Sequence, residues 1–401
     1  MCTSLGRAAR RANGAHLVVL VLWAGFVAAV QRWPSWEEGV RVQFAPDMDV
    51  YEVIARAAPG LPDTDVLRAY AQRFPVHWLI GVAYDVTDVP LHTLYRVAVI
   101  ACVALILVAM HVALTALGLD VRAYTLSLGI VAASAYPVHY LLAAPGMVSD
   151  GIFVLGLSVM LAGFVRGGLW VALAGLALAT LGRQSALPVG VAAAMWAAFL
   201  PAWRPIRFRA PAGFLLVPAV IYGVLQIASN SFSAPRPAGI DDLTVIGFFT
   251  GVRPLADHVG RVALGIAVPA ALVAGAWLRT RGPAPWGPLL VAAAVAGQPL
   301  VLGPLANASN EPRLAGLAAP AFAVAAGMLL CGAVLGRAET LVCAAAIAAG
   351  GLHHRYTIVG LERNAVWATV ELVSAVTVVL VLAAGRRLPT PMSREPSSRP
   401  A

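Results

Sequence analysis

The sequence has little charge: charged residues make up 12% of the 401 residues, and lysine is absent. Hydrophobic residues make up 60%, and they recur in runs of about 17 to 25 residues, the length that crosses a bilayer as a helix. This composition excludes an ordinary soluble domain. It predicts an all-α fold, a polytopic transmembrane helical bundle of about 10–12 spans.

Sequence motifs of the common soluble enzymes are also missing. The four cysteines are scattered, which excludes a disulfide framework and a Cys-x-x-Cys metal site. No P-loop, GxGxxG turn, HExxH or GxSxG motif occurs, so nucleotide hydrolysis, dinucleotide chemistry and serine or zinc hydrolysis have no support. The net charge of +9 does not indicate nucleic acid, because the arginines mostly lie in connections between apolar runs, where they orient a membrane protein.

The apolar runs predict about twelve spans, and the arginine-rich connections predict their orientation. The positive-inside rule places both the N- and C-termini on the cytoplasmic side of the cell membrane. Residues 1–385 are expected to form one multi-pass domain, with 386–401 as a disordered cytoplasmic tail. The first helix is expected to be retained, a cleaved signal peptide being the alternative. The predicted spans are 14–31, 94–117, 123–142, 148–165, 168–182, 186–203, 211–229, 261–278, 285–306, 314–336, 339–352 and 365–385.

The segment 32–93 is the longest connection, and it carries nine of the nineteen carboxylates against five arginines. Its apolar residues recur at helical spacing in two places, so two amphipathic helices are expected along the outer membrane face. Pro59, Gly60 and Pro62 mark the break between them. The two apolar sets are Val50, Val53, Ile54 and Ala57, and Leu67, Tyr70, Ala71 and Phe74.

Asp47 and Asp49, in "DMDVYE", allow two interpretations. In an extended segment both side chains point to one side, where they can share a divalent cation, or one can bind metal while the other acts as a base. Alternatively, Asp49 and Glu52 form a capping box for the helix beginning near Val50. Residues alone do not decide between a site and a cap.

Three further charged residues are expected at the same outer level. Asp150 opens the fourth span, either as a favourable charge at a helix start or as part of a site. Arg183, between two apolar runs, is either an anchor that reaches the interface or a ligand for a phosphate group, which guanidinium binds in a fork. Arg73 allows the same two interpretations.

Two other polar segments lie on the predicted outer face. In "LHHRYT" (352–357), the adjacent histidines do not have zinc-site spacing, and Arg355 is expected to help contact a lipid phosphate. In "NASNEPR", Glu311 and Arg313 are expected to pair with each other at the surface.

The order of these features resembles the GT-C superfamily of integral-membrane glycosyltransferases, which use polyprenyl-phosphate sugars. The matching stretches are "DMDVYEVIA", "QRFPVHWLIG", "PGMVSDGIFVLGL" and "LGRQSALPVG", within roughly the first 200 residues. The acidic motif is Asp-x-Asp rather than two adjacent carboxylates, so the resemblance leaves the need for a metal open.

The resemblance implies transfer of a hexose or pentose from a polyprenyl-phosphate donor to a glycan, lipid or protein acceptor. Asp49 or Asp47 would be the base, and Arg73, Arg183 and Arg355 would bind the donor phosphate. Asp47 and Asp150 would hold a divalent cation, Mg²⁺ or Mn²⁺, if one is used. The alternatives are a transporter or flippase of lipid-linked substrates, without glycosyl transfer, and a non-catalytic assembly subunit.

Overall fold

The structure is a computed structural model, and it describes residues 2–41, 47–206, 208–234, 255–302, 310–353, 355–359 and 364–385. These residues are almost entirely helical, so the predicted all-α fold is confirmed. The strands within these ranges are β1 (Val66–Leu67) and β2 (Ser233–Ala234), which pair in parallel. The expected tail, 386–401, lies outside the described residues.

The first half of the chain, up to Ser229, contains twelve α-helices within the described residues. They are α1 (Cys2–Val30), α2 (Trp36–Arg41), α3 (Met48–Ala57), α4 (Arg68–Ala71), α5 (Phe74–Thr87), α6 (Leu91–Ala116), α7 (Val121–Ala132), α8 (Leu141–Ala143), α9 (Val148–Arg166), α10 (Leu169–Gly182), α11 (Ala186–Phe199) and α12 (Arg209–Ser229). A π-helix, Ala135–Tyr140, precedes α8, and 3₁₀ turns cover Pro145–Met147 and Pro201–Ile206.

The second half of the chain, from Leu255, contains seven further α-helices within the described residues. Its helices are α13 (Leu255–Thr280), α14 (Trp286–Ala296), α15 (Gln298–Leu302), α16 (Glu311–Gly316), α17 (Ala319–Leu330), α18 (Arg337–Gly350) and α19 (Asn364–Ala384).

Five of the described helices are long and apolar enough to cross a bilayer: Leu91–Ala116, Pro145–Arg166, Arg209–Ser229, Ala256–Thr280 and Ala365–Ala384. The predicted span 123–142 is instead a pair of helical segments bent by 48°, with the break at Ala133 and Ser134. Most of the other predicted spans are apolar helices of 10–17 residues. These helices fit a multi-pass membrane protein, while ten to twelve spans and cytoplasmic termini remain predictions.

The segment 32–93 contains helices, and their predicted position along the membrane face stays a prediction. In α3, Tyr51 and Ile54 are buried within the protein, whereas Val53 is exposed. The second expected helix ends after one turn as α4, and α5 begins at Phe74.

Helices α9 and α10 lie against each other with backbone in contact with backbone. A Cβ added at Gly156 would lie 2.2 Å from the Ala179 amide nitrogen, and one at Gly182 would lie 2.5 Å from that of Phe153. Small residues at such crossings let transmembrane helices approach closely. This approach brings the C-terminal end of α10 beside the N-terminal end of α9.

Helix α3 is held over the N-terminal end of α9 by two other close approaches. A Cβ at Gly146 would lie 2.5 Å from the Met48 side chain, and one at Gly81 of α5 would lie 1.9 Å from the Ala55 carbonyl oxygen. Both glycines therefore let α3 pack against the 3₁₀ turn before α9 and against α5. The acidic start of α3 is thereby placed near the start of α9.

Candidate functional site

Asp150 lies in the first turn of α9 and is completely buried. Its Oδ1 accepts a hydrogen bond from Arg183 Nη1, and its Oδ2 lies 3.9 Å from Arg313 Nε. Arg183 is positioned by the glycine contacts of α9 with α10, and its Nε donates to Ser185 Oγ at 3.3 Å. The structure thus brings Asp150 and Arg183 into direct contact, while their predicted level at the outer membrane face stays a prediction.

Arg313 is the residue of this site that the sequence did not indicate. The expected Glu311–Arg313 pair is wrong, because Glu311 Oε1 instead lies 3.0 Å from His258 Nδ1. Arg313 Nη1 donates to the Tyr140 hydroxyl at 2.5 Å, and its guanidinium lies 5.2 Å from the centre of that ring. Residues two apart on a helix point to different faces, which was the available signal against the pair.

Arg73 precedes α5 as its N-cap residue and is buried. Its Nη1 donates to the Tyr51 hydroxyl at 2.8 Å. Burial raises the pKa of Tyr51, and the charge of Arg73 only partly offsets this, so the phenol stays protonated. Arg73 is therefore a buried cation with a neutral partner, not an anchor in the interface.

His77 stacks on Tyr51 with ring centres 3.9 Å apart, and its tautomer follows from its neighbours. The Tyr95 hydroxyl donates to the Tyr51 carbonyl at 3.1 Å, so it must accept from His77 Nδ1 at 3.0 Å. Burial, followed by the charge of Arg73, lowers the pKa of His77 to about 3. His77 is thus neutral, with its lone pair on Nε2.

Asp47 and Asp49 point in different directions. Asp47 is the N-cap residue of α3, and its side chain makes no capping hydrogen bond; Oδ1 accepts from the Tyr70 hydroxyl at 2.9 Å. Asp49 is exposed. The expected capping box is wrong, since α3 begins at Met48 and Glu52 pairs with Arg56 and, at 3.2 Å, with His92.

The carboxylate of Asp47 acts electrostatically on the site. Burial opposes the charge of Arg313, but Tyr140, Asp150 and Asp47 outweigh it, and the pKa of Arg313 lies above its ordinary value. Asp47 also contributes to the raised pKa of Tyr51. Of the two aspartates in the Asp-x-Asp motif, Asp47 is the one linked to the arginines: its partner Tyr70 packs edge-on against Tyr51, which bonds Arg73, whereas Asp49 is exposed.

Arg355 does not reach this group of charges. Its side chain is exposed, whereas the adjacent Tyr356 is buried, with its ring centre 5.2 Å from that of Tyr140. Burial raises the pKa of Tyr356 to about 12. His354, in the same segment, lies outside the described residues.

Five charged residues form what is called here the arginine cluster: Arg73, Arg183, Arg313, Asp47 and Asp150. The cluster carries three positive and two negative side chains, which leaves a surplus of one positive charge. Several buried polar atoms in and beside it have no hydrogen-bond partner within the described ranges: Arg73 Nε, His77 Nε2, Ser149 Oγ, Asp150 Oδ2 and Arg313 Nε. Buried groups of this kind cost free energy unless a partner satisfies them. Arg73 Nε, Arg313 Nε and Ser149 Oγ can donate to the oxygens of an anion, whereas His77 Nε2 and Asp150 Oδ2 are acceptors and need a donor such as a hydroxyl group.

A metal site was expected at Asp47 and Asp150. Among the residues that the structure describes, no group of three or more His, Cys, Asp or Glu side chains could hold a metal ion. Both Asp150 oxygens face guanidinium groups. Mg²⁺ or Mn²⁺ at these aspartates therefore stays a prediction, and Asp150 has a second role as the counter-ion of two arginines.

Comparison with known proteins gives no further guide: no protein-family model, curated protein or solved structure matches the chain.

Proposed function

We propose that the protein is a membrane glycosyltransferase that transfers a sugar from a polyprenyl-phosphate donor to an acceptor on the outer face of the cytoplasmic membrane. The observation that carries the proposal is the contact of Arg183 and Arg313 with the buried Asp150 at the end of a candidate span, with a third buried arginine, Arg73, bonded to Tyr51 beside them. A lipid-linked phosphate needs cationic side chains beside its charge at the end of the membrane spans, while its lipid tail stays among apolar helices.

The charge of the cluster matches one phosphate group in particular. A sugar linked to a lipid through a single phosphate is a phosphodiester with one negative charge, which equals the surplus of the cluster. A diphosphate-linked sugar would bring a second negative charge that the cluster does not offset. Polyprenyl monophosphate is therefore the favoured carrier.

The residues of the cluster can supply both the stabilisation of the leaving group and the base for sugar transfer. The acceptor hydroxyl oxygen bonds to the anomeric carbon, the bond from that carbon to the phosphate oxygen breaks, and its electron pair leaves with polyprenyl phosphate. Arg73, Arg183 and Arg313 stabilise the negative charge that develops on the phosphate. Asp47, rather than Asp49, takes the proton of the acceptor hydroxyl, because Asp47 is linked to the cluster through Tyr70 and Tyr51 while Asp49 is exposed.

The test is release of polyprenyl phosphate from a polyprenyl-phosphate hexose labelled in the prenyl chain, with total membranes of the producing host as the source of acceptor. The wild-type chain should release it, and Arg313→Gln should lower the rate at least about a hundred-fold. Arg337→Gln, which removes an exposed arginine, is the matched control. Movement of the donor between leaflets without release would instead indicate a flippase. Equal rates for Arg313→Gln and Arg337→Gln would show that Arg313 does not bind the donor phosphate.

A further inference from the structure

A row of amide side chains extends from the arginine cluster towards the protein surface. Gln184 Nε2 donates to Gln72 Oε1 at 2.5 Å, Gln72 Nε2 donates to Gln226 Oε1, and Gln226 Nε2 donates to Asn230 Oδ1 at 2.9 Å. The Tyr222 hydroxyl also contacts Gln72 Nε2, at 3.3 Å. These five residues are called the amide row.

The amide row begins at the arginine cluster itself. Gln72 precedes Arg73 in the chain, and Gln184 follows Arg183, so each glutamine is the direct neighbour of an arginine. Both arginines turn into the cluster, while the two glutamines bond to each other on its flank. A ligand whose phosphate lies between the arginines therefore has its next few atoms beside these amides.

The burial of the row changes along its length. Gln72 is buried, Gln184, Tyr222 and Gln226 are half-buried, and Asn230 is exposed at the end of α12. The row thus leads from the flank of the buried arginine cluster to the exposed C-terminal end of α12. These uncharged, hydrogen-bonding side chains beside the arginine cluster suit a polar, uncharged group that is attached directly to the phosphate.

Amides offer both a donor and an acceptor, as a sugar hydroxyl does, and every member of the row is uncharged. A site built to hydrogen-bond hydroxyls discriminates strongly against groups that do not match it. A carboxylate or ammonium group on the sugar would lose water there without gaining an opposite charge.

We propose that the amide row binds the sugar of the donor and that this sugar is uncharged, a hexose or pentose rather than a uronic acid or an amino sugar. The inference rests on the proposed function, because it takes the phosphate to lie in the arginine cluster. The row would then act on the sugar alone and leave binding of the lipid phosphate to the arginines.

A purely structural role makes a different prediction. Gln72 belongs to the segment that links α4 to α5, and Gln226 lies on α12, so the row also ties these elements together beside the β1–β2 pair. If that were its only role, breaking the row would displace Arg73 and weaken binding of any polyprenyl phosphate, with or without a sugar.

The experiment measures binding of three probes to the full chain in lipid nanodiscs: polyprenyl phosphate, polyprenyl-phosphate glucose and polyprenyl-phosphate glucuronate. The wild-type chain should bind the glucose lipid about ten-fold tighter than the sugarless lipid, and tighter than the glucuronate lipid. Gln226→Leu should abolish the ten-fold gain and leave the sugarless lipid unchanged. Thr369→Val is the control, since it removes an exposed hydroxyl on α19 that bonds the Ala365 carbonyl of its own helix; it should keep the gain.

Other results would overturn the inference in distinguishable ways. If the sugar adds no affinity in the wild-type chain, or if Gln226→Leu weakens all three probes equally, the row is structural and the phosphate site stands. Tighter binding of the glucuronate lipid would refute an uncharged sugar. If the wild-type chain binds no polyprenyl phosphate at all, the proposed function itself fails, and the sugar site fails with it.

Discussion

Asp150→Asn is the sharpest perturbation of the arginine cluster, because it keeps the shape of the side chain and removes one negative charge. Asp150 is fully buried between Arg183 and Arg313, and the 3.9 Å contact with Arg313 alone corresponds to about 4 kcal/mol at an effective dielectric constant of ~20. Removing one partner of a buried ion pair destabilises a protein by about 3–5 kcal/mol. The variant leaves three buried cations against Asp47 alone.

The assay is unfolding of the purified chain in detergent micelles, with and without polyprenyl phosphate. Asp150→Asn should lose about 3–5 kcal/mol of unfolding free energy relative to the wild-type chain. Polyprenyl phosphate should restore part of this loss, because an anion that binds only the folded state stabilises it by mass action. Asp49→Asn, at an exposed position, should stay within about 0.5 kcal/mol of wild type. Wild-type stability for Asp150→Asn would refute the charge balance described here.

Two further predictions concern the packing and the protonation that support the site. Gly156→Ala would place a Cβ 2.2 Å from the Ala179 amide nitrogen, so it should push α9 and α10 apart and lower the free energy of unfolding by about 1–3 kcal/mol in the same assay. Gly223→Ala is the control: a Cβ there would have nothing within 4 Å, so this variant should be neutral or stabilising by up to about 1 kcal/mol. Burial and Arg73 lower the pKa of His77 to about 3 from an ordinary 6.5, so the unfolded chain takes up this proton at higher pH than the folded one. The contribution of neutral His77 to the free energy of unfolding is complete above pH 6.5 and falls by up to about 1.4 kcal/mol per pH unit towards pH 3. In melting curves at several pH values, the stability of His77→Asn should therefore depend less steeply on pH than that of the wild-type chain. An unchanged pH dependence would contradict the buried neutral imidazole.

The helices and part of the site could be predicted from the sequence because they depend on local patterns. Long apolar runs are sufficient to predict helices in a membrane. Asp150 and Arg183 could be singled out because isolated charges among apolar residues are costly unless they serve a purpose. Their direct contact depends on the glycine pairs of α9 and α10, which only the structure identifies as a backbone approach.

Other features depend on which way a side chain turns, and the pattern of one sequence does not give that. Asp47 and Asp49 are equivalent in an extended Asp-x-Asp motif, but the helix starts at Met48, so the two carboxylates diverge. Arg313 was assigned to its neighbour in sequence, whereas its partners, Tyr140 and Asp150, lie far away along the chain. The amide row, too, joins residues that are more than a hundred positions apart.

The most direct measurement of the proposed chemistry is the transfer rate of Asp47→Asn against Asp49→Asn, with polyprenyl-phosphate hexose as donor and both variants matched for folded protein. Because Asp47 is linked to the arginine cluster through Tyr70 and Tyr51 while Asp49 is exposed, Asp47→Asn should lose about 10²–10⁴-fold in rate, and Asp49→Asn should remain close to wild type. Full activity of Asp47→Asn, or loss of activity only in Asp49→Asn, would contradict Asp47 as the base.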